Sequence, residues 1–329
     1  MATATVSSDI LAAFPLAEPA IVRKFEATRN EIWLIEDKRG QRYVLRRNLQ
    51  HANKERIAFQ VRFQQHLLRH GFPTSEVIEA RSGDPLVVDH DGISWVLFTF
   101  VEGEEFDFSR DAQVLEAARR LAQFHSIAET FTNDAPALDY QEPYRDWWAG
   151  ADENLQELEE IYAGLPVQDE LSYVREWWAR VLAEWPLARL DALPVGWVYG
   201  DYHGRNMVFV DDELRGLFDF DDIERGPLVY DIAQGVHMFA RQKRGSRTIR
   251  PDVARAFIKA YAQGRALSDE ERAALPMMVA MSFPPNAAYH RYCRDRRGED
   301  LVTRLRREVA RMRWLSAEMD RIGSELQRA

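Results

Sequence analysis

Residues 198–231 read VYGDYHGRNMVFVDDELRGLFDFDDIERGPLVYD, and the pattern of this stretch predicts a β-hairpin. Residues 207–210 and 216–218 are apolar strand segments, and residues 211–214 form a polar turn cluster between them. Residues on the two sides of such a turn are brought together by the chain itself. The hairpin therefore decides which side chains of this stretch become neighbours.

Antiparallel pairing places three polar side chains of the hairpin near one another. A turn of four residues would set Met207 opposite Phe218. Asn206 and Asp219 would then meet at the open end, and Asp201 lies five residues before Asn206 on the entering loop. We expect all three oxygen-bearing side chains to surround one spot.

The chemistry of these three side chains suits magnesium-assisted phosphoryl transfer. Two hard oxygen ligands, from Asn206 and Asp219, fit a magnesium ion that also holds phosphate oxygens and water. A carboxylate such as Asp201 can orient a substrate hydroxyl and accept its proton. The alternative is a surface hairpin whose Asp and Asn residues only serve its turns.

The spacing Asp201-x4-Asn206, followed by Asp219, resembles the catalytic loop and metal-binding Asp of the aminoglycoside phosphotransferase and choline kinase family. These proteins, which include homoserine-kinase-like members, are relatives of the protein kinases. The resemblance implies that Asp201 is the catalytic base and that Asn206 and Asp219 bind Mg²⁺. The segment Gly226–Ala233 also resembles the family, and Asp231 would there open a helix and brace the catalytic loop.

Several nearby positions keep more than one interpretation. Asp221 and Asp222 either touch metal or substrate or form a solvated acidic turn. Tyr199 stands where the family usually has His, a supporting position rather than a reacting one. His125 resembles a frequent family His, and we interpret it as a buried residue bonded to backbone beneath the loop.

Composition places the chain among acidic, soluble proteins that fold without cross-links. The 329 residues carry a formal charge of −10, which argues against nucleic-acid or anionic-membrane partners. Cys293 is the only cysteine, so an internal disulfide is excluded. The N-terminal stretch lacks the basic flank and apolar core of a signal peptide, and no run is long enough for a membrane span. We expect a cytoplasmic protein, and the oligomeric state stays open.

The order of predicted elements matches a bilobal, protein kinase-like α+β fold. Strands at 21–25, 32–36 and 43–47, a helix begun by Asn53, and two further strands would form a small antiparallel lobe. Beyond Gly103, long amphipathic helices predominate. We predict an N-terminal nucleotide-binding lobe at 1–101 and a C-terminal catalytic and substrate-binding lobe at 102–329.

A kinase of this kind needs a cation on its third strand to draw the nucleotide phosphates into line. Arg46 and Arg47 point to opposite faces of that strand, and the alternation of Arg46 with Val44 favours Arg46. An exposed strand Arg that pairs with surface acids is the alternative. Glu55 is the only acid of the helix that follows and is the candidate partner, with Gln60 or Gln64 as neutral substitutes.

The nucleotide would be ATP, held by a lid and by the strand that joins the lobes. Between the first two strands the chain has no glycine, and Thr28 and Asn30 are its candidate side-chain donors to phosphate. Backbone groups near Thr99 and Val101 are candidates for contact with adenine. Whether the glycine-free lid closes is open.

The predicted function is ATP-dependent transfer of the γ-phosphate to a hydroxyl of a small metabolite: an amino alcohol, a sugar, homoserine or an aminoglycoside-like compound. The tryptophans and the Tyr- and Arg-rich segment 284–297 are compatible with substrates of opposite charge. The alternatives are a bacterial protein Ser/Thr kinase of the same fold and a nucleotide-binding pseudokinase. The short segment between Asp219 and Asp231 disfavours the protein kinase.

Overall fold

The computed structural model describes residues 6–26, 30–49, 53–89, 91–132, 148–246, 248–281 and 284–326. Their contacts group them into two compact units. The first unit takes in the described residues of Met1–Phe106, Thr130–Asp139 and Arg205–Asp221, and the second those of Asp107–Glu129, Tyr140–Gly204 and Asp222–Ala329. The predicted domain boundary between residues 101 and 102 stays a prediction.

Both units mix strands with helices, and the α+β class predicted from the sequence is confirmed. The strands are β1 (Ala20–Lys24), β2 (Glu31–Glu36), β3 (Arg42–Arg47), β4 (Val77–Ile78), β5 (Val87–Val88), β6 (Ser94–Thr99), β7 (Val195–Val198), β8 (Met207–Val210), β9 (Glu213–Leu217) and β10 (Glu224–Pro227). The helices are α1 (Ser8–Ala12), α2 (Lys54–Arg69), α3 (Asp111–Ala128), α4 (Ala151–Ile161), α5 (Gln168–Glu184), α6 (Leu187–Leu190), α7 (Leu228–Phe239), α8 (Pro251–Gly264), α9 (Asp269–Ala280), α10 (Ala287–Arg297) and α11 (Leu301–Leu326).

The first unit is built on an antiparallel sheet with the order β1-β2-β3-β6-β4, and β5 also pairs with β6. One face of this sheet packs against α1 through Ile10 and against the segment after α1 through Phe14. The other face packs against α2 through Ile57 and Val61. As predicted, Asn53 caps α2, because its side chain accepts the backbone N–H of Glu55 at 2.8 Å.

The hairpin of β8 and β9 groups with the first unit. Its pairing differs from the prediction: Met207 lies opposite Leu217 rather than Phe218. The turn contains only Asp211 and Asp212, and Asp211 adopts a left-handed φ of 54°. The register also shifts between Val208 and Phe209, so one extra residue of β9 is accommodated as a bulge.

The second unit is mainly helical. Phe124 of α3, Phe239 of α7 and Phe257 of α8 are fully buried, and the rings of Phe239 and Phe257 stack with centroids 5.9 Å apart. Strands β7 and β10 form a separate antiparallel pair. The helix α5 ends at Glu184, because Pro186 cannot continue it. Among the described helices, none is long and apolar enough to cross a membrane.

Candidate active site

In the first unit, Asn206 and Asp219 lie at the open end of the hairpin. The backbone N–H of Phe218 donates to the carbonyl oxygen of Asn206 at 2.8 Å, which makes Asp219 the next residue beyond this pair. Asp219 adopts a left-handed φ of 63°, and its side chain is half exposed. A non-glycine residue in this conformation is uncommon and is enriched at functional sites. The hairpin thus places the backbone of Asp219 one residue beyond the position opposite Asn206.

This donor set suits a magnesium ion that arrives with phosphate. Within the described part of the chain, no cluster of three or more His, Cys, Asp or Glu side chains forms a metal cage. Mg²⁺ usually keeps several waters and binds through one or two carboxylates and substrate phosphates. One carboxylate and one amide oxygen fit such a Mg²⁺ site, in which water and phosphate supply the other ligands.

Arg46 of β3 contacts the carboxylates that follow the hairpin. Its Nη1 lies 3.5 Å from Oδ1 of Asp219, and its Nη2 forms an ion pair with Asp221. Arg47, on the opposite face of the strand, donates instead to Glu31 at 3.0 Å. Strand alternation therefore gives the two arginines separate partners.

Asn30 also reaches Asp221. Its Nδ2 donates to Oδ2 of Asp221 at 2.9 Å, and its Oδ1 accepts the backbone N–H of Leu49 at 2.9 Å. Both side-chain atoms of this predicted phosphate donor therefore already have protein partners. The other predicted donor of the lid, Thr28, lies outside the described residues.

Glu55, Thr99 and Val101 complete the predicted nucleotide-side residues. Glu55 is exposed in the first turn of α2, whereas the carboxylates that Arg46 contacts are Asp219 and Asp221. The N–H of Thr99 donates to the carbonyl of Glu76 at 2.9 Å, so the sheet already uses this donor. Val101 lies beyond the last residue of β6.

In the second unit, Asp201 follows a tightly held loop. Gly200 has a φ of 82°, and a Cβ at this position would lie 2.3 Å from the carbonyl oxygen of Asp222. Only glycine fits both the backbone angle and the close approach. The side chain of Gln234 bonds the loop as well, accepting from the N–H of Tyr202 and donating to the carbonyl of Gly200 at 2.9 Å.

Asp231 braces this loop from the first turn of α7, as the sequence predicted. Its fully buried carboxylate accepts the N–H of Tyr199 at 2.6 Å and the N–H of Gly200 at 3.0 Å. It also lies 3.0 Å from Nε2 of His125. Because the carboxylate is an acceptor, Nε2 carries a proton, and Nδ1 lies 2.7 Å from the hydroxyl oxygen of Tyr261. His125 is thus buried as expected, but it bonds to side chains rather than to backbone.

Asp201 itself is partly exposed and has a neighbour that the sequence interpretation missed. Nε2 of His203 lies 3.1 Å from Oδ2 of Asp201, and the Asp201 side chain is 35% exposed. The sequence signal for this contact was that His203 follows Asp201 by two positions on the same loop. Burial first, and then the charges of Glu224, Asp231, Asp201 and Asp222, raise the pKa of Tyr230. Asp201 is thus one of four carboxylates whose charges act on the hydroxyl of Tyr230.

The aromatic candidates for acceptor binding divide by burial. Trp148, Trp177, Trp178 and Trp185 are all buried. Trp147 lies outside the described residues. Tyr289 and Tyr292 on α10 are each 40% exposed. The buried tryptophans form core, whereas the two tyrosines face solvent.

The architecture defines a protein kinase-like fold. A crystal structure of an aminoglycoside phosphotransferase from Alicyclobacillus acidocaldarius matches with a TM-score of 0.72 and 17% identity, covering 100% of this chain and 98% of that chain. The structure of a microcompartment-associated aminopropanol kinase matches with a TM-score of 0.73 and 18% identity, covering 96% and 97%. At these identities, both similarities concern the fold.

Sequence similarity identifies the family. The profile described as the phosphotransferase enzyme family matches residues 22–275, and the chain belongs to this family. A homoserine kinase of Sinorhizobium medicae is 27% identical over 256 residues, which cover 77% of this chain and 73% of the relative. The family resemblance predicted from the sequence is therefore confirmed, as is the predicted class of ATP-dependent kinase that phosphorylates a hydroxyl group.

Proposed function

We propose that the protein transfers the γ-phosphate of Mg²⁺-bound ATP to a hydroxyl of a small metabolite. The observation that carries this proposal is the open end of the β8–β9 hairpin, where Asn206 pairs with Phe218, the residue before Asp219, and Nη1 of Arg46 lies 3.5 Å from Oδ1 of Asp219. A metal ligand pair beside a phosphate-binding cation is what phosphoryl transfer requires. The bound ion would neutralise the charge that develops on the phosphate oxygens.

Each residue has a defined role in this proposal. Asn206 and Asp219 hold the ion through their side-chain oxygens. Arg46 attracts the phosphates and keeps them in line for attack. Asp201 orients the acceptor hydroxyl and accepts its proton as the phosphoryl group moves. His203, hydrogen-bonded to Asp201, fixes the orientation of that carboxylate.

We propose a small hydroxylated amine as the acceptor. The relatives named homoserine kinase and the aminopropanol kinase are named for acceptors of this kind. The negative charge that surrounds Tyr230 supports the same choice, because an ammonium group is attracted to carboxylates. The burial of Trp148, Trp177, Trp178 and Trp185 assigns these four rings to core packing rather than to an aromatic cation site.

The experiment is a phosphorylation assay with purified protein, ATP and Mg²⁺ against homoserine, amino alcohols, sugars and aminoglycosides, read by mass spectrometry. Asp201→Asn should lower kcat by about 100-fold to 10,000-fold, the usual contribution of a general base. Asp211→Asn, a change of an exposed Asp at the tip of the hairpin, is the matched control and should leave turnover unchanged.

Two outcomes would contradict the proposal. Undiminished turnover in Asp201→Asn would remove the assigned base. Inactivity of the wild type on every small acceptor, together with phosphorylation of proteins in a cell extract, would favour a protein kinase. Binding of ATP without any transfer would favour a pseudokinase.

A further inference from the structure

We infer that Asp221 is a positioning residue for ATP binding, the carboxylate that holds Arg46 in place. This inference rests on the proposed function, because it assigns Arg46 to the nucleotide phosphates. The sequence suggested Glu55 of α2 as the partner of Arg46. For Asp221 three interpretations stayed open: a contact with metal, a contact with substrate, or a place in a solvated acidic turn. The contacts of Arg46 separate these possibilities.

The ion pair between Arg46 and Asp221 is buried. The side chain of Arg46 is 13% exposed and that of Asp221 is 5% exposed. Removing two charges from water is costly, and such a pair persists only with good geometry and additional hydrogen bonds. A solvated acidic turn would leave Asp221 exposed, so that interpretation does not hold.

Donors from three elements hold Asp221. Its Oδ2 accepts from Arg46 of β3 and from Asn30 before β2. Its backbone carbonyl accepts from Nη2 of Arg56 at 2.8 Å and from Nε2 of Gln60 at 3.3 Å, both on α2. In this protein α2 therefore supplies donors that fix the backbone of Asp221, and the carboxylate comes from the segment after the hairpin.

The guanidinium divides its two terminal nitrogens between two carboxylates. Nη2 is held by Asp221, while Nη1 lies 3.5 Å from Asp219, the proposed metal ligand. Because the guanidinium is planar and rigid, anchoring one nitrogen fixes the direction of the other. Asp221 thus directs Nη1 toward the place where a metal-bound phosphate would lie.

The test is the affinity for ATP, measured by calorimetry both with Mg²⁺ and in EDTA, so that it needs no acceptor and no turnover. Asp221→Asn should weaken ATP binding about 10-fold to 100-fold, the usual effect of losing a supporting partner. The loss should also occur in EDTA, because Asp221 acts through Arg46 and not through the metal. Glu55→Gln is the matched control and should bind ATP like the wild type.

A second comparison holds even if Asp221→Asn alone does not fold. Arg46→Gln and the double variant Arg46→Gln/Asp221→Asn should bind ATP equally, because Asp221 has nothing left to position. A further 10-fold loss in the double variant would overturn the inference. So would a loss in Asp221→Asn that appears only with Mg²⁺, which would make Asp221 a metal ligand, or a loss in Glu55→Gln as large as that in Asp221→Asn.

The outcomes also separate this inference from the proposed function. A wild type that binds ATP but phosphorylates no acceptor would overturn the proposed function, while the binding comparison would still decide the role of Asp221. A fully active kinase in which Asp221→Asn binds ATP normally would overturn the inference alone.

Discussion

Replacing Asp231 by Asn tests the brace beneath the loop that carries Asp201. The carboxylate accepts two backbone N–H groups and the ring N–H of His125, and it is completely buried. Asparagine is nearly the same size but has a single acceptor oxygen. Its NH₂ group would point at one of these N–H donors, so at least one N–H would lose its acceptor.

The magnitude follows from the bonds that are lost. A hydrogen bond to a charged group contributes about 1.5–3 kcal/mol, and a buried donor left without a partner costs about 1–3 kcal/mol more. With one bond lost, Asp231→Asn should lower the free energy of unfolding by about 2.5–6 kcal/mol. A domain has only about 5–15 kcal/mol in total, so the variant should be markedly less stable.

The assay is urea unfolding at pH 7, followed by circular dichroism, with Asp169→Asn as the control. Asp169 is exposed in the first turn of α5, and its replacement should change stability by about 0.5 kcal/mol or less. If Asp231→Asn unfolded within about 1 kcal/mol of the wild type, the three bonds would not brace the loop, and the reasoning would be refuted.

Two further predictions concern Gly200 and His237. Gly200→Ala should cost more stability than Gly164→Ala in thermal unfolding, because both glycines have a positive φ but only Gly200 faces a carbonyl oxygen 2.3 Å from the added Cβ; equal losses would contradict this. Burial, and then the charges of Arg311 and Arg241, lower the pKa of His237 well below its ordinary 6.5. Since the unfolded chain then binds the proton more readily, the stabilisation is complete above pH 6.5 and declines below it, by at most about 1.4 kcal/mol per pH unit. Urea midpoints between pH 5 and 8 should show a smaller slope in His237→Gln, and an unchanged slope would count against the assignment.

Local signals in the sequence were sufficient for much of the fold. Short runs of apolar, β-prone residues predicted β2 and β3 to within a residue, and Asn53 was recognised as the cap of α2. The helices α9 and α10 were missed for physical reasons. α9 contains Pro276 in its interior, which argues against a helix, and α10 buries only three of its residues, so its apolar stripe is weak.

The candidate site was predictable where its residues are close in sequence. Asn206 and Asp219 belong to one hairpin, and their proximity follows from its pairing. The partner of Arg46 could not be found in this way, because Asp221 lies 175 positions further along the chain. The same holds for His125 and Asp231, which are 106 positions apart. Only tertiary packing brings such pairs into contact.

The bulge in the β8–β9 hairpin makes the presence of a residue at position 215 structurally important. Val208 pairs with Gly216 and Phe209 with Leu214, so Arg215 is the supernumerary residue between them. Its side chain is exposed, and its Nη2 lies 3.3 Å from Oε2 of the surface acid Glu213. Consecutive residues of a strand face opposite ways. This one additional residue therefore determines to which face each following side chain up to Asp219 points. A substitution at position 215 would therefore keep the following side chains in place, whereas deletion of residue 215 would turn each of them to the opposite face of the strand.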